Sequence, residues 1–351
     1  MKKNNMYYIS GLGAIRGISA CLIVYFHVWA ICGFAGISAI IDGGIGNLDS
    51  LVRMFFMLSG FALLCGYEKT IFANEKSIIN FYIKRFFKIA PIFYVALILQ
   101  ILIGYFLNGE KYSITSIILS ISLMFGLLPT NQELIVWASW AVGIEWIFYL
   151  LFPMFVVVVK NKWALVIATI SSFIITYNYK GIIGDAISNS HINVLIYLSY
   201  FFIGAVLYQC IPRIKAIRKY NSWRFIQVIY IACSISLGVL LARQFERNIG
   251  MLVAFSLIIA GSIYGYTSVI DNKFTDWLGK ISYSIYLLHM IVIQIFSKFG
   301  VIQRINGITK NEYVNYFMTS TIILIVTCLI AHFTTKYVEE YWVNKGKKYV
   351  L

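Results

Sequence analysis

The residues with chemistry to offer are few, and most of them are ionisable groups set inside apolar runs. Arg16 and His27 lie eleven residues apart in the first run. At about 100° per residue they return to within roughly 20° of one helical face, about 16 Å apart along the axis. One face of one helix therefore presents a cation at one end and an imidazole at the other. Glu145 lies in WAVGIEWIFYLLFP, Trp140 to Pro153, flanked by Trp146, Phe148 and Tyr149. A carboxylate in such surroundings needs a partner. An imidazole oriented by a carboxylate can take a proton from a hydroxyl, so His27 and Glu145 form a candidate acid–base pair. Arg85 and Lys88, in RFFKIAP, are helical neighbours just ahead of the third apolar run, and Pro91 falls where a first-turn proline is tolerated. Two adjacent cations suit a phosphate-bearing ligand, although basic anchoring of a loop would use the same residues. In LGKISYSIYLLH, Leu278 to His289, the residues Ser282, Tyr286 and His289 share a helical face. A histidine there is more often a hydrogen-bonded packing residue than a catalyst.

The elements that must hold these groups are membrane helices. Only 12% of the 351 residues are charged while 60% are hydrophobic and 17% aromatic, which excludes a soluble globular enzyme, a disordered chain and a disulfide scaffold. Apolar runs such as 134–159, 192–211 and 314–333 approach or exceed a bilayer-spanning length. They are continuous rather than alternating, which disfavours an outer-membrane barrel. The expected fold class is all-α, a polytopic membrane helical bundle. Helices are predicted over 10–31, 51–67, 89–107, 114–129, 138–159, 163–179, 192–211, 225–242, 249–268, 281–299 and 314–335. Small-residue segments such as LSGF, Leu58 to Phe61, predict close helix contacts. No hydrophilic insert or repeat interrupts the pattern, so one membrane domain over 1–351 is expected, with no appended soluble domain.

Charge sets the topology. The 29 Lys and Arg against 14 Asp and Glu give +15, but the cations cluster between apolar runs, at Lys69–Lys88, Arg213–Arg224 and Lys336–Lys348. That distribution argues for cytoplasmic loops and lipid headgroup contact and against nucleic acid. Eleven crossings would place Arg213–Arg224 outside. The segment 114–129 is short, holds three serines and a threonine, and ends at Pro129. Reading it as re-entrant or interfacial leaves about ten crossings with both termini cytoplasmic and every strong basic cluster inside. Arg16 then lies toward the inner face, His27, Arg53 and Glu145 toward the outer face, and His289 near mid-membrane. The six cysteines have no metal-ligand spacing and read as packing residues, and no metal is expected. Arg16 and His27 interrupt the first run and no small-residue cleavage site follows, so it is read as an uncleaved span.

Taken in order, these segments resemble the acyltransferase-3 family of bacterial membrane O-acyltransferases. The Arg, ten residues, His pattern is Arg16 and His27. FFMLSGF, Phe55 to Phe61, is similar to the family's second span, and Arg85, Lys88 and Pro91 to its basic RxxR followed by proline. Trp140–Pro153 and Leu278–His289 are similar to its WSLSVEEQFYLLFP and LGxxSYSxYLLH signatures. There are departures: Lys88 stands where arginine is usual, Gly143, Trp146 and Ile147 replace common Ser, Glu and Gln, and Arg53 occupies an often acidic position.

The resemblance implies transfer of an acyl group, usually acetyl from acetyl-CoA, to a sugar hydroxyl of an extracytoplasmic or lipid-linked glycan such as O-antigen, capsule or exopolysaccharide. The location implied is a bacterial cytoplasmic membrane. On this reading Arg16, Arg85 and Lys88 hold the CoA phosphates. His27 acts as general base or transient acyl carrier, with Glu145 orienting or protonating it. Arg53, Trp140, Tyr149 and His289 are expected to meet the acceptor. Two rival readings are a flippase for a lipid-linked sugar and a non-catalytic relative serving envelope assembly. The first predicts matched broken helices in two halves, which the sequence lacks. The second predicts loss of His27 or of the basic pair, and both are present.

Overall fold

A computed structural model describes residues 9, 11–126, 134–179, 192–217, 223–244 and 247–350. Among them the chain is helical, with no strand. The principal helices are α1 (Leu12–Ile31), α2 (Leu51–Tyr67), α3 (Ser77–Ile103), α4 (Ile114–Ser122), α5 (Trp140–Lys160), α6 (Lys162–Tyr177), α7 (Leu198–Ala216), α8 (Arg224–Gln244), α9 (Arg247–Tyr264), α10 (Lys273–Lys298), α11 (Glu312–Thr334) and α12 (Glu340–Gly346). Among the described residues nine stretches are long and apolar enough to cross a membrane, and α6 is apolar but shorter. This is a multi-pass membrane protein.

Helix ends follow local chemistry. Asn161 caps α6 by accepting from the Trp163 and Ala164 amides, and Asn311 caps α11 by accepting from those of Tyr313 and Val314. The predicted weak segment folds as α4, capped by Ser113 and closed by Leu123 in the left-handed region. Its nine residues rise about 14 Å, less than half a bilayer core. A 3-10 turn, Met124–Gly126, follows it, and Pro129 lies outside the described residues.

Two helices start earlier than their apolar runs. Helix α3 begins at Ser77, twelve residues before the predicted 89, so Arg85 and Lys88 are inside it and Pro91 is an interior proline rather than a first-turn one. The segment Asn80–Lys88 alternates aromatic and basic residues at spacings a helix can carry, its apolar side packing inward at Phe81. Helix α10 begins at Lys273, eight residues before the predicted 281. It is the most enclosed of the long helices, with 72% of its most apolar stretch buried against 17% for α8.

The chain divides into two compact units. One holds the described residues up to Arg16, Val52–Ile78 and Leu150–Gly279. Its core includes Phe56 and Phe201, with ring centroids 5.3 Å apart. Here the LSGF segment does make a close helix contact. A Cβ on Gly60 would lie 2.4 Å from the Phe201 carbonyl oxygen, and one on Gly204 2.3 Å from that of Met57. Only glycine allows α2 and α7 to approach so nearly.

The other unit holds Gly17–Leu51, Ile79–Tyr149 and Lys280–Leu351. Polar pairs join its helices where water is scarce. Gln100 donates to Gln294 at 2.8 Å between α3 and α10, and Tyr316 of α11 donates to the Tyr25 carbonyl of α1 at 3.1 Å. Such interhelical hydrogen bonds fix register where apolar packing alone discriminates poorly.

Candidate active site

The second unit brings most of the candidate residues together, and α10 runs through them. His27, four turns into α1, is partly exposed, whereas His289 of α10 is fully buried. The two rings meet with centroids 4.8 Å apart, and His289 Nε2 lies 3.1 Å from His27 Nδ1. Each ring also reaches back one turn: His27 Nδ1 to the Ile23 carbonyl at 3.0 Å, His289 Nδ1 to that of Ile285 at 3.1 Å. A carbonyl oxygen only accepts, so both Nδ1 atoms carry hydrogen. His289 Nε2 is therefore a lone pair, and it accepts from His27 Nδ1–H, which it shares with the Ile23 carbonyl. His27 Nε2 is left as a lone pair with no hydrogen-bond partner among the described residues. That is the state of a base ready to take a proton.

The early start of α10 explains a difference from expectation. The apolar runs alone put His289 near mid-membrane and His27 toward the outer face. Their hydrogen bond puts both at one level, because His289 is the seventeenth residue of α10 rather than the ninth of a shorter helix.

A second cluster lies toward the N-terminal end of α10. Tyr283 donates to the Ile89 carbonyl of α3 at 2.9 Å and sits within electrostatic reach of Glu145, Tyr149 and Glu339. Tyr149 donates to Glu145 Oε1 at 2.5 Å, one turn apart on α5. The Arg85 guanidinium stands 5.5 Å from the Tyr149 ring centroid and 5.7 Å from that of Phe81. Lys88 is ion-paired with Glu339, which is 4% exposed against 43% for the lysine. Between Tyr283 and His289 the helix rises about 9 Å, so α10 holds an imidazole pair and a cation–carboxylate cluster less than two turns apart.

The sequence-predicted residues thus fall into groups. His27 is brought to His289, and Arg85 to Tyr149 and through it to Glu145. Glu145 does not partner His27: the side chain on His27 is His289. Arg16 is exposed near the start of α1, and Arg53 is half-buried in the first turn of α2; both belong to the first unit. Trp140, half-buried, opens α5. Trp146, at a position often glutamate in relatives, packs edge-on against Phe86 at 6.0 Å.

Three residues escaped the sequence reading. Glu339 lies in a π-helical turn, Thr335–Glu339, that joins α11 to α12 without interrupting the helix, and it is buried. In sequence it is half of an acidic pair in a polar tail, and only its fourfold spacing from Thr335 links it to the buried face. Tyr283 sits inside the LGKISYSIYLLH motif, whose tyrosine was a visible signal. Asp49, in a 3-10 turn ahead of α2, is the carboxylate whose charge reaches His27.

Comparison with known families decides the class. The family model of the acyltransferase-3 group, described as an acyltransferase domain, matches residues 9–335. The chain belongs to the acyltransferase-3 family. No curated protein and no solved structure gives a match. The matched range of this membrane acyltransferase includes His27, Arg85, Lys88, Glu145 and His289 and stops before Glu339. The flippase reading has no comparable support.

Proposed function

We propose that this acyltransferase moves an acyl group, acetyl in the first instance, from acyl-CoA to a hydroxyl of an extracytoplasmic or lipid-linked glycan, in a bacterial cytoplasmic membrane with both termini cytoplasmic. The observation that carries the reading is His27 Nε2, an unengaged lone pair on an imidazole whose other nitrogen is held by hydrogen bonds. The cation cluster suits the donor. Arg85 and Lys88 lie on successive turns of α3, and Lys88 is exposed enough to receive a phosphate; Arg16, in the first unit, is a separate candidate cation. The donor supplies an activated thioester. Trp140, at the outer end of α5, suits a sugar, and Arg53, in the first unit, is a separate candidate.

In the direct route, His27 Nε2 takes the proton of the acceptor hydroxyl as its oxygen attacks the thioester carbon. The C–S bond breaks, and the His27 imidazolium returns the proton to the departing thiolate, so the base is regenerated. In the alternative, His27 Nε2 attacks the thioester carbon and the C–S bond breaks to release the thiolate; the acceptor hydroxyl oxygen then displaces the imidazole from the acyl carbon and its proton passes to the thiolate. Either route needs a neutral Nε2. Glu145, held by Tyr149 at the level of Arg85, is placed to balance charge beside the donor rather than to orient His27.

The test is mass spectrometry of surface and lipid-linked glycans from cells carrying the wild-type gene, no gene, or His27→Ala. The wild type should add one acyl mass, 42 Da for acetyl (order set by ~C2H2O), and the variant should add none while accumulating in the membrane. Full acylation by His27→Ala would sink the assignment. Arg85→Ala should weaken acetyl-CoA binding at least about tenfold; unchanged affinity would return Arg85 to a purely topological role.

A further inference from the structure

We infer that His289 is a positioning residue for His27: its Nε2 accepts the His27 Nδ1–H and so fixes the tautomer and ring orientation that leave His27 Nε2 as the base. The inference rests on the reading of His27 as the reacting imidazole.

The Ile23 carbonyl alone holds the His27 ring loosely. That bond is to the helix's own backbone one turn earlier, and an Nδ1–H can be satisfied there over a range of side-chain torsion. The His289 nitrogen, 262 residues away on α10, adds a second acceptor from outside the helix. Two acceptors at different angles leave one ring orientation that serves both.

His289 can do this because its own state is set. Its Nδ1–H is committed to the Ile285 carbonyl at 3.1 Å, which leaves Nε2 only as an acceptor. With one nitrogen donating and the other accepting, the ring has the hydrogen-bonding complement of a neutral imidazole. Full burial, packing against the Tyr286 ring at 6.0 Å and the enclosure of α10 leave it little freedom to turn. The order of donation is therefore one-directional, from His27 to His289 to the Ile285 carbonyl. An acid–base triad uses a carboxylate to choose the tautomer of its histidine. Here a neutral imidazole makes the same choice without an ionised carboxylate hydrogen-bonded to the His27 ring, where burying it would be costly. When His27 becomes cationic in the reaction, the His289 lone pair already faces its Nδ1–H and needs no reorganisation.

A packing histidine would tolerate any residue of similar volume; a positioning histidine needs an acceptor at the place of Nε2. Glutamine offers an oxygen near that place and leucine offers none. In cells, His289→Leu should lower glycan acylation about ten- to hundredfold, and His289→Gln should recover most of it, to within about threefold of wild type. Full-length protein labelled with 15N-histidine, in lipid bilayers and with His191 and His332 substituted, gives a readout independent of activity. His27, assigned by its loss in His27→Ala, should show a protonated Nδ1 and a bare Nε2 in the wild type and in His289→Gln, and a tautomer mixture in His289→Leu. Equal acylation in the Leu and Gln variants, or a His27 signal unchanged by His289→Leu, would overturn the positioning role. A wild-type spectrum with hydrogen on His27 Nε2 would overturn it with no variant needed, so the test survives if His289→Leu fails to accumulate. Full acylation by His27→Ala would instead remove the reading on which the inference stands.

Discussion

Glu339 sets the charge balance around the proposed donor cations. Its carboxylate is buried beside Lys88, so a phosphate arriving at that lysine meets an anion already in place. Replacing the carboxylate with an amide removes that repulsion. Glu339→Gln should therefore tighten acetyl-CoA binding about three- to tenfold, measured by calorimetry on the purified protein, whereas Lys88→Ala should weaken it. Weaker binding in Glu339→Gln would mean that the carboxylate orients Lys88 for the ligand instead of competing with it. At this scale the sequence disclosed types and spacings but not partners. His27 and Arg85 stood out because a charge inside an apolar run needs a reason. The choice between Glu145 and His289 as the neighbour of His27 was hidden, since it depends on how far along α10 residue 289 falls.

That register is a property of the elements, and their starts were the hardest feature to read. Hydropathy marks where a run becomes apolar, but a helix continues into polar sequence as long as its backbone bonds can form. Both α3 and α10 extend past the run at their N-terminal ends, and with them Arg85, Lys88 and Tyr283 move from connector or helix edge into the helix body. The short α4 was legible, because serine-rich sequence ending in proline is a poor crossing. Its packing also accounts for a departure from the family pattern. A Cβ on Gly143 of α5 would lie 2.3 Å from the Phe125 ring and 3.0 Å from the Gly126 amide nitrogen, both in the 3-10 turn after α4. The serine common at this position would collide with that turn. Gly143→Val should cost about 1–3 kcal/mol, read as a lower unfolding temperature in detergent, while Gly66→Ala, where nothing lies within 4 Å of the added Cβ, should leave stability nearly unchanged. Equal behaviour of the two variants would show that the α5 contact with the turn is loose.

For the molecule as a whole, the count of crossings decides which face meets which substrate. Among the described residues, nine long helices and the shorter α6 make ten candidate crossings, provided α4 returns to the side it entered. An even number puts both termini on one side, and the basic clusters at Lys69–Lys88, Arg213–Arg224 and Lys336–Lys348 argue that this side is cytoplasmic. On this proposed topology helix α1 carries Arg16 inside and His27 toward the outer face, and α10 carries Tyr283 and His289 in the same order. Acyl donor from the cytoplasm and glycan from outside would approach the imidazole pair from opposite ends. In a cysteine-free background, a membrane-impermeant maleimide applied to intact spheroplasts should label a cysteine at Gly36, just beyond α1, and should label one at Lys215 or Lys345 only after lysis. Labelling of all three from outside would break the even count. Labelling of Lys215 but not Gly36 would invert the molecule, and an inverted molecule would present His27 to the cytoplasm and leave the glycan on the wrong side for transfer.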